Sequence, residues 1–445
     1  MIAGTAHNCA RWCERVACIK MKFPIAVTPR RLRQLWYVPL LSVAMALLLG
    51  RTLVMAKLLD IPSFAQFSGG LLVSSTFTML GCLGLQSLLQ REMPVQIFRR
   101  RERASVVLLT QCVTVATACA LAGLLLVVAG LDVAGLSSGL LAIGIIHGLS
   151  QQVFLIATVE SRSRGQPLTF ALQTMVRATM VLVVSIAIGV LFKSAVAVLM
   201  AEAIISLLLT YRILQDVWQR SRVSAALAFR LAIRRIRQIP WPSALALLAV
   251  ASIGFFLMNI DRWVAVRLLQ PIEFANYAFA WTVLMVGQSL QSVINTSIYP
   301  MLARRFASAG AAASFRFAAA ASISLLFVCA ITSWPAYWLL NAIVMRWFPT
   351  YSGSSNIFGI FIFVAALRLS DFWSSHLVIV GREKRLLLVT FTVGAIVFGG
   401  WLYVFAPSAR GITGMADVAW LAVALTIVGY LVVFVTAWTT RKSHQ

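Results

Sequence analysis

The chain has 445 residues, 60% of them hydrophobic and only 11% charged, with a mean hydropathy of +0.89. A soluble domain carries about 25% charged residues to solvate its surface; no block of about 150 residues with ordinary composition remains here, which excludes an appended soluble domain. The 38 Lys and Arg outnumber the 13 Asp and Glu, for a net charge of +25. In a soluble protein that balance would point to nucleic acid, but the placement of the charges points elsewhere.

Apolar runs fall near 36–58, 67–89, 105–129, 138–159, 168–191, 194–211, 242–268, 274–300, 314–341, 355–380, 386–406 and 416–438. Each is long enough to cross about 30 Å of hydrocarbon as a helix, where every backbone polar group must be satisfied internally. The expected fold is therefore an all-α integral membrane protein of about 12 transmembrane helices. Of the Lys and Arg residues, 29 lie in the two tails and the even-numbered loops, while six (Lys57, Lys193, Arg262, Arg267, Arg346 and Arg410) lie on the opposite side. This asymmetry places both termini in the cytoplasm. The net charge then reads as a topology signal, with anionic membrane lipids as partners and no role for nucleic acid.

The first run is long enough to stay as an anchor, so no cleavable leader is expected. In the tail before it, His7, Cys9, Cys13 and Cys18 match no common zinc spacing, and Met21 is a second candidate start. No metal or cofactor is expected. Cys82, Cys112, Cys119 and Cys329 fall in spans and should pack as small apolar groups.

The chain resembles itself at an offset of 210 residues. Val54 to Phe67 aligns without gaps with Val264 to Tyr277, and five of the first twelve positions are identical. The offset equals six spans, so the two halves run the same way through the membrane, a design common in transporters with a site between the halves. The expected organisation is a basic cytoplasmic tail (1–35), a six-helix lobe (36–211), a basic linker (212–241), a second six-helix lobe (242–438) and a short cytoplasmic tail (439–445). The two lobes should be pseudo-symmetric around a central cavity.

Ionisable groups inside spans cost about 2.5–3.5 kcal/mol each, so each needs a reason. Arg51 sits 15 residues into the first span, with no carboxylate within a turn. Arg177 and Arg368 lie near mid-depth of the fifth and tenth. Together they suggest a cationic hollow suited to a phosphate, whose oxygens a guanidinium can bind in pairs. Glu202 is placed to neutralise Arg177, and Asp371, three residues after Arg368, to pair with it locally. Asp261 aligns with Arg51 in the repeat; either the two meet across the lobes as a gate, or Asp261 and Arg262 snorkel to the outer interface. Glu202, Asp261 and Asp371 are the candidates for ion coupling. Gln288, Gln291 and Asn295 share one helix face with Ser292, fit either to hold sugar hydroxyls or to bond another helix. His147 and His376 are either proton relays or packed hydrogen-bonding groups. Gly135, Gly139, Gly144 and Gly148 give two small-residue spacings for close helix packing.

Gly50-Arg51 through Phe64, with Gly81, Gly84 and Arg91, resembles the first helical hairpin of Wzx-type polysaccharide flippases, members of the MOP exporter superfamily of multidrug, oligosaccharidyl-lipid and polysaccharide transporters. Asn259, Asp261 and Arg262, then Phe274 to Tyr277, then Tyr299-Pro300 ahead of Arg304-Arg305, is similar to that family's seventh and eighth spans. Ala65 and Ala275 stand where the family usually has glycine before the aromatic. The resemblance implies a multi-pass protein of the bacterial inner membrane that flips an undecaprenyl-pyrophosphate-linked oligosaccharide by alternating access. The product would serve surface polysaccharide synthesis (O-antigen or exopolysaccharide), beside other polysaccharide-assembly membrane proteins. Arg51, Arg177 and Arg368 would then hold the pyrophosphate, and Gln288, Gln291 and Asn295 the sugars. The alternative in the same superfamily is a multidrug or cation exporter, which would want carboxylates in its first-lobe cavity. A lipid II flippase would need about fourteen spans. An integral-membrane glycan-modifying enzyme would need a longer outer loop or a catalytic cluster, and no nucleotide motif or nucleophile triad is present.

Overall fold

The computed structural model describes residues 36–130, 132–404 and 414–440; at some helical positions, Gln288, Ser292 and Asn295 among them, it describes the backbone alone. The tail with His7 and its cysteines, Arg410, and the segment after Thr440 lie outside the described residues. Among the described residues the fold is helical, with no strand. The first set of helices is α1 (Tyr37–Leu58), α2 (Ile61–Leu80), α3 (Leu85–Phe98), α4 (Glu102–Val128), α5 (Ser138–Ala157), the short α6 (Val159–Ser163), α7 (Pro167–Phe192) and α8 (Ala195–Arg220). After α9 (Ala225–Arg234) come α10 (Trp241–Leu268), α11 (Pro271–Trp347), α12 (Ser355–Leu369), α13 (Trp373–Ile379), α14 (Glu383–Val404) and α15 (Met415–Thr440).

Among the described residues, all twelve expected runs fall on helices. Among the described residues nine helical stretches are long and apolar enough to cross a bilayer, or ten if the bent pair α2 and α3 is one span. Two of the breaks between helices have local causes. The eighth and ninth runs both fall within α11, and a break at Gly310 (φ 76°), where the backbone leaves helical geometry, separates them. The second run is split by a 51° bend between α2 and α3. At that bend Gly84 has φ 78°, and a Cβ there would lie 2.0 Å from the Ala244 carbonyl oxygen on α10, so only glycine fits.

The two repeat hairpins turn in the same way. Asp60 accepts a hydrogen bond from the Ser63 amide (3.1 Å) to start α2, and Gln270 forms a capping box with Glu273 to start α11. Proline enters each first turn, where its missing N–H costs nothing.

Within the first set, α1 packs along α7, α5 lies between α2 and α8, and α4 carries α9; within the second, α12 packs on α11 and α15. The two sets meet through α1, α2 and α3 against α10 and α11. Small residues permit the closest contact: a Cβ on Gly144 would lie 2.7 Å from Val73, and one on Gly148 2.7 Å from the Ser74 carbonyl oxygen. Gly139 has open space around it, so of the two spacings only the second makes a helix contact. Cys82 and Cys112 are buried, and the Cys82 thiol donates to the Cys112 carbonyl oxygen at 3.5 Å.

At the end carrying the 59–60 and 269–270 turns, both sets share one apolar cluster that includes Met55, Phe64, Phe67, Phe274, Tyr277 and Tyr351. Its rings interlock: Tyr351 stacks on Phe279 (4.7 Å between centroids) and meets Phe64 edge-on (5.3 Å). This cluster closes the interface at that end.

Candidate functional site

On the other side of the cluster, toward the starts of α1 and α10, the two sets of helices enclose a vestibule of about 690 Å³. Its walls repeat at the sequence offset. Met45, Leu48, Leu49 and Thr52 line it from α1; Phe255, Met258, Asn259 and Arg262, each 210 positions later, line it from α10. Likewise Ser68, Leu71, Ser75 and Met79 on α2 match Ala278, Trp281, Met285 and Ser289 on α11. On α1 and α10 these are positions i, i+3, i+4 and i+7, and on α2 and α11 positions i, i+3, i+7 and i+11, in each case one face of an α-helix. The vestibule is thus made from equivalent faces of the two repeats.

Its chemistry is mixed. Among the described residues, Arg51 and Arg262 are the lining cations, and no Asp or Glu lines it. Gln86, Gln151, Asn259, Thr78 and Thr282 supply amides and hydroxyls, while methionines and Phe255 supply apolar surface. Arg262 is 9% exposed, and its guanidinium carbon lies 4.0 Å from the centre of the Trp281 ring, a cation–π contact that fixes the charge at the wall.

Behind the first wall lies a buried polar network. Arg51 Nη1 donates to Glu202 Oε2 at 2.7 Å. Glu202, fully buried, also accepts from Ser185 Oγ (2.6 Å) and pairs with His147 Nε2 (3.0 Å). His147 Nδ1 lies 2.7 Å from Ser74 Oγ. Arg177 donates to Gln151 Oε1 and to Ser206 Oγ (3.2 Å), with Phe154 4.4 Å beneath it. Five helices therefore meet around one carboxylate.

These contacts correct several expectations. Glu202 pairs with Arg51 and not with Arg177, because α8 presents it to α1 and α5 while Ser206, one turn on, takes Arg177. Asp261 does not face Arg51 across the vestibule: it is 1% exposed and accepts from Tyr277 Oη at 2.6 Å within its own hairpin. Among the described residues, Arg368 pairs with no carboxylate at contact distance. It lies within electrostatic range of Asp261, and its buried Nη1 has no hydrogen-bond partner. Asp371 points forward to the next helix, accepting from the Ser374 amide (3.2 Å) and hydroxyl (2.5 Å). Gln291 donates to the Arg368 carbonyl oxygen at 2.6 Å, so this amide ties α11 to α12. The side chains of Gln288 and Asn295 lie outside the described residues. His376 is buried, with Nδ1 3.1 Å from Ser314 Oγ.

Arg262, counted among the outer-side cations and read in one of the two alternatives as snorkelling outward, lines the vestibule. The signal was present: it closes the i, i+3, i+4, i+7 face begun at Phe255. Gln151, which holds Arg177 and lines the cavity, sits four residues past His147 and carries the same signal.

No protein-family model matches the sequence, and no curated protein matches it significantly. Solved structures do match in shape. An inward-facing multidrug resistance MATE family transporter of the MOP superfamily superposes with a TM-score of 0.60 at 13% identity, over 90% of this chain and 95% of that one. The fold is that of the MATE transporters. The eukaryotic MATE transporter AtDTX14 gives a TM-score of 0.58 at 11% identity, covering 93% of this chain and 99% of its own. An outward-facing multidrug resistance MATE transporter gives 0.53 at 13% identity, over 92% and 96%. With its apolar helices in this fold, the chain is a multi-pass membrane protein.

Proposed function

We propose that the chain is a MOP-type transporter that works by alternating access, with the vestibule as its substrate site. The aromatic cluster is then the closed outer gate, in a molecule resting inward-facing in a bacterial inner membrane. The favoured cargo is an undecaprenyl-pyrophosphate-linked oligosaccharide, moved for surface polysaccharide synthesis. The observation that carries this reading is the lining, which among the described residues has two guanidiniums, no carboxylate, and amides and hydroxyls that both donate and accept. A pyrophosphate suits Arg51 and Arg262, a glycan suits the amides, and the lipid tail stays in the bilayer.

Export of organic compounds is the second reading, and the fold comparison favours it, since the matching structures are described as multidrug resistance transporters. The methionines and Phe255 of the lining also suit such compounds. Deleting the gene in its host separates the two. A flippase deletion leaves lipid-linked oligosaccharide in the inner leaflet and strips the surface glycan; an exporter deletion leaves the glycan intact and changes drug tolerance.

A further inference from the structure

Arg51 occupies two settings at once. It lines the vestibule, and through Nη1 it is the contacting guanidinium of the fully buried Glu202. Its Nε is buried and has no hydrogen-bond partner, so Glu202 is the counter-charge that holds this guanidinium. The groups around Glu202 are few. Arg51 comes from α1, His147 from α5, and Arg177 from α7 within electrostatic range. Helix α2 contributes Ser74 and no ionisable side chain.

We propose that anion binding in the vestibule is linked to uptake of one proton by the Glu202–His147 pair. The inference rests on the anionic-cargo reading and adds how the site responds to the cargo. A pyrophosphate diester carries two negative charges. Seated on Arg51, it competes for the guanidinium that Glu202 contacts, and it sets like charge beside a carboxylate that water cannot reach. A buried carboxylate stripped of its counter-charge is strongly disfavoured, and one proton removes the conflict. Either Glu202 Oε2 takes it, or His147 becomes the imidazolium that neutralises Glu202. His147 and Gln151 line the vestibule, so the proton arrives from vestibule water without crossing the apolar cluster. The balance is one dianion and one proton bound, with no covalent bond formed. Export of that complex moves one net negative charge outward instead of two, a direction that an inside-negative membrane potential still favours.

The test is calorimetric titration of the purified full-length chain with a soluble short-chain lipid pyrophosphate sugar, a diester whose charge is constant around neutral pH. Comparing buffers of different ionisation enthalpy counts the protons exchanged. The expected result is about one proton taken up per diester bound, with affinity falling about tenfold per pH unit above neutrality. Glu202→Gln removes the proton uptake and the pH dependence while the diester still binds. If that variant does not fold, the native chain's infrared difference spectrum reports the same event, as a protonated-carboxyl or an imidazolium band that appears on binding. Diester binding with no proton exchanged overturns the linkage and leaves the anionic-cargo reading standing. No diester binding by the native chain overturns both.

Discussion

Thr52 and Arg262 stand 210 positions apart and line the vestibule from the equivalent turn of α1 and of α10. The backbone repeat is kept at this pair while its charge is not. One wall offers a hydroxyl, and the other a guanidinium held against Trp281 at 4.0 Å. The pseudo-symmetric frame thereby presents an asymmetric surface to whatever enters.

That asymmetry is transferable. Arg262→Thr removes a charged donor of the type that contributes about 1.5–3 kcal/mol, so transport of a pyrophosphate-linked substrate is expected to fall about ten- to hundredfold. Adding Thr52→Arg returns the charge from the opposite wall and should recover a substantial part of the loss. Initial transport rates of the single and double variants in reconstituted vesicles check this.

The Arg51–Glu202 pair sets a stability prediction. Glu202→Ala leaves Arg51 buried without its counter-charge and deprives His147 and Ser185 of their acceptor. Breaking a buried pair from one side costs about 3–5 kcal/mol. Replacing both partners with apolar residues, Arg51→Met with Glu202→Leu, should cost far less. Thermal unfolding in detergent distinguishes the two variants.

Tyr277 tests the matching place in the second repeat. Its hydroxyl donates to the buried Asp261 carboxylate at 2.6 Å. Tyr277→Phe keeps the ring against Phe361 and removes only the donor, with an expected loss of about 1–3 kcal/mol. Asp371→Ala, by contrast, removes a helix-capping contact and should cost about 1 kcal/mol, without altering transport.

Glycine packing gives a control within one helix. Gly148→Ala sets a Cβ 2.7 Å from the Ser74 carbonyl oxygen, where backbone must move, and Gly139→Ala meets nothing within 4 Å. The first should destabilise by about 1–3 kcal/mol. The second should be neutral or slightly stabilising, since alanine is the better helix former. Paired melting curves decide.

Much of this architecture is legible in the sequence because hydrocarbon forces long apolar helices, and the 210-residue offset carries the repeat. The second hairpin turn could be read from the first, as Asp60 and Gln270 show. The divisions were less legible. Gly310 and Gly84 act through positive φ, which a hydropathy average does not register, so neither the break within α11 nor the bend before α3 can be read from it. Partners of buried charges were the least legible. Arg51 has no carboxylate near it in sequence, yet meets Glu202 across 151 positions, and helix phase alone does not rank long-range partners. Helix phase did hold the information that Arg262 shares a face with Phe255, but its place among outer-side charges hid it.

The central claim is that guanidiniums in the vestibule select an anionic amphiphile for transport. The direct measurement is translocation of a fluorescent lipid-pyrophosphate oligosaccharide by the purified chain in proteoliposomes, with an organic cation as competitor. The claim predicts that the native chain accelerates flipping, that Arg262→Thr abolishes most of that acceleration, and that the cation neither competes nor is carried. Transport of the cation by native and variant chains alike, with no flipping of the pyrophosphate lipid, would contradict it.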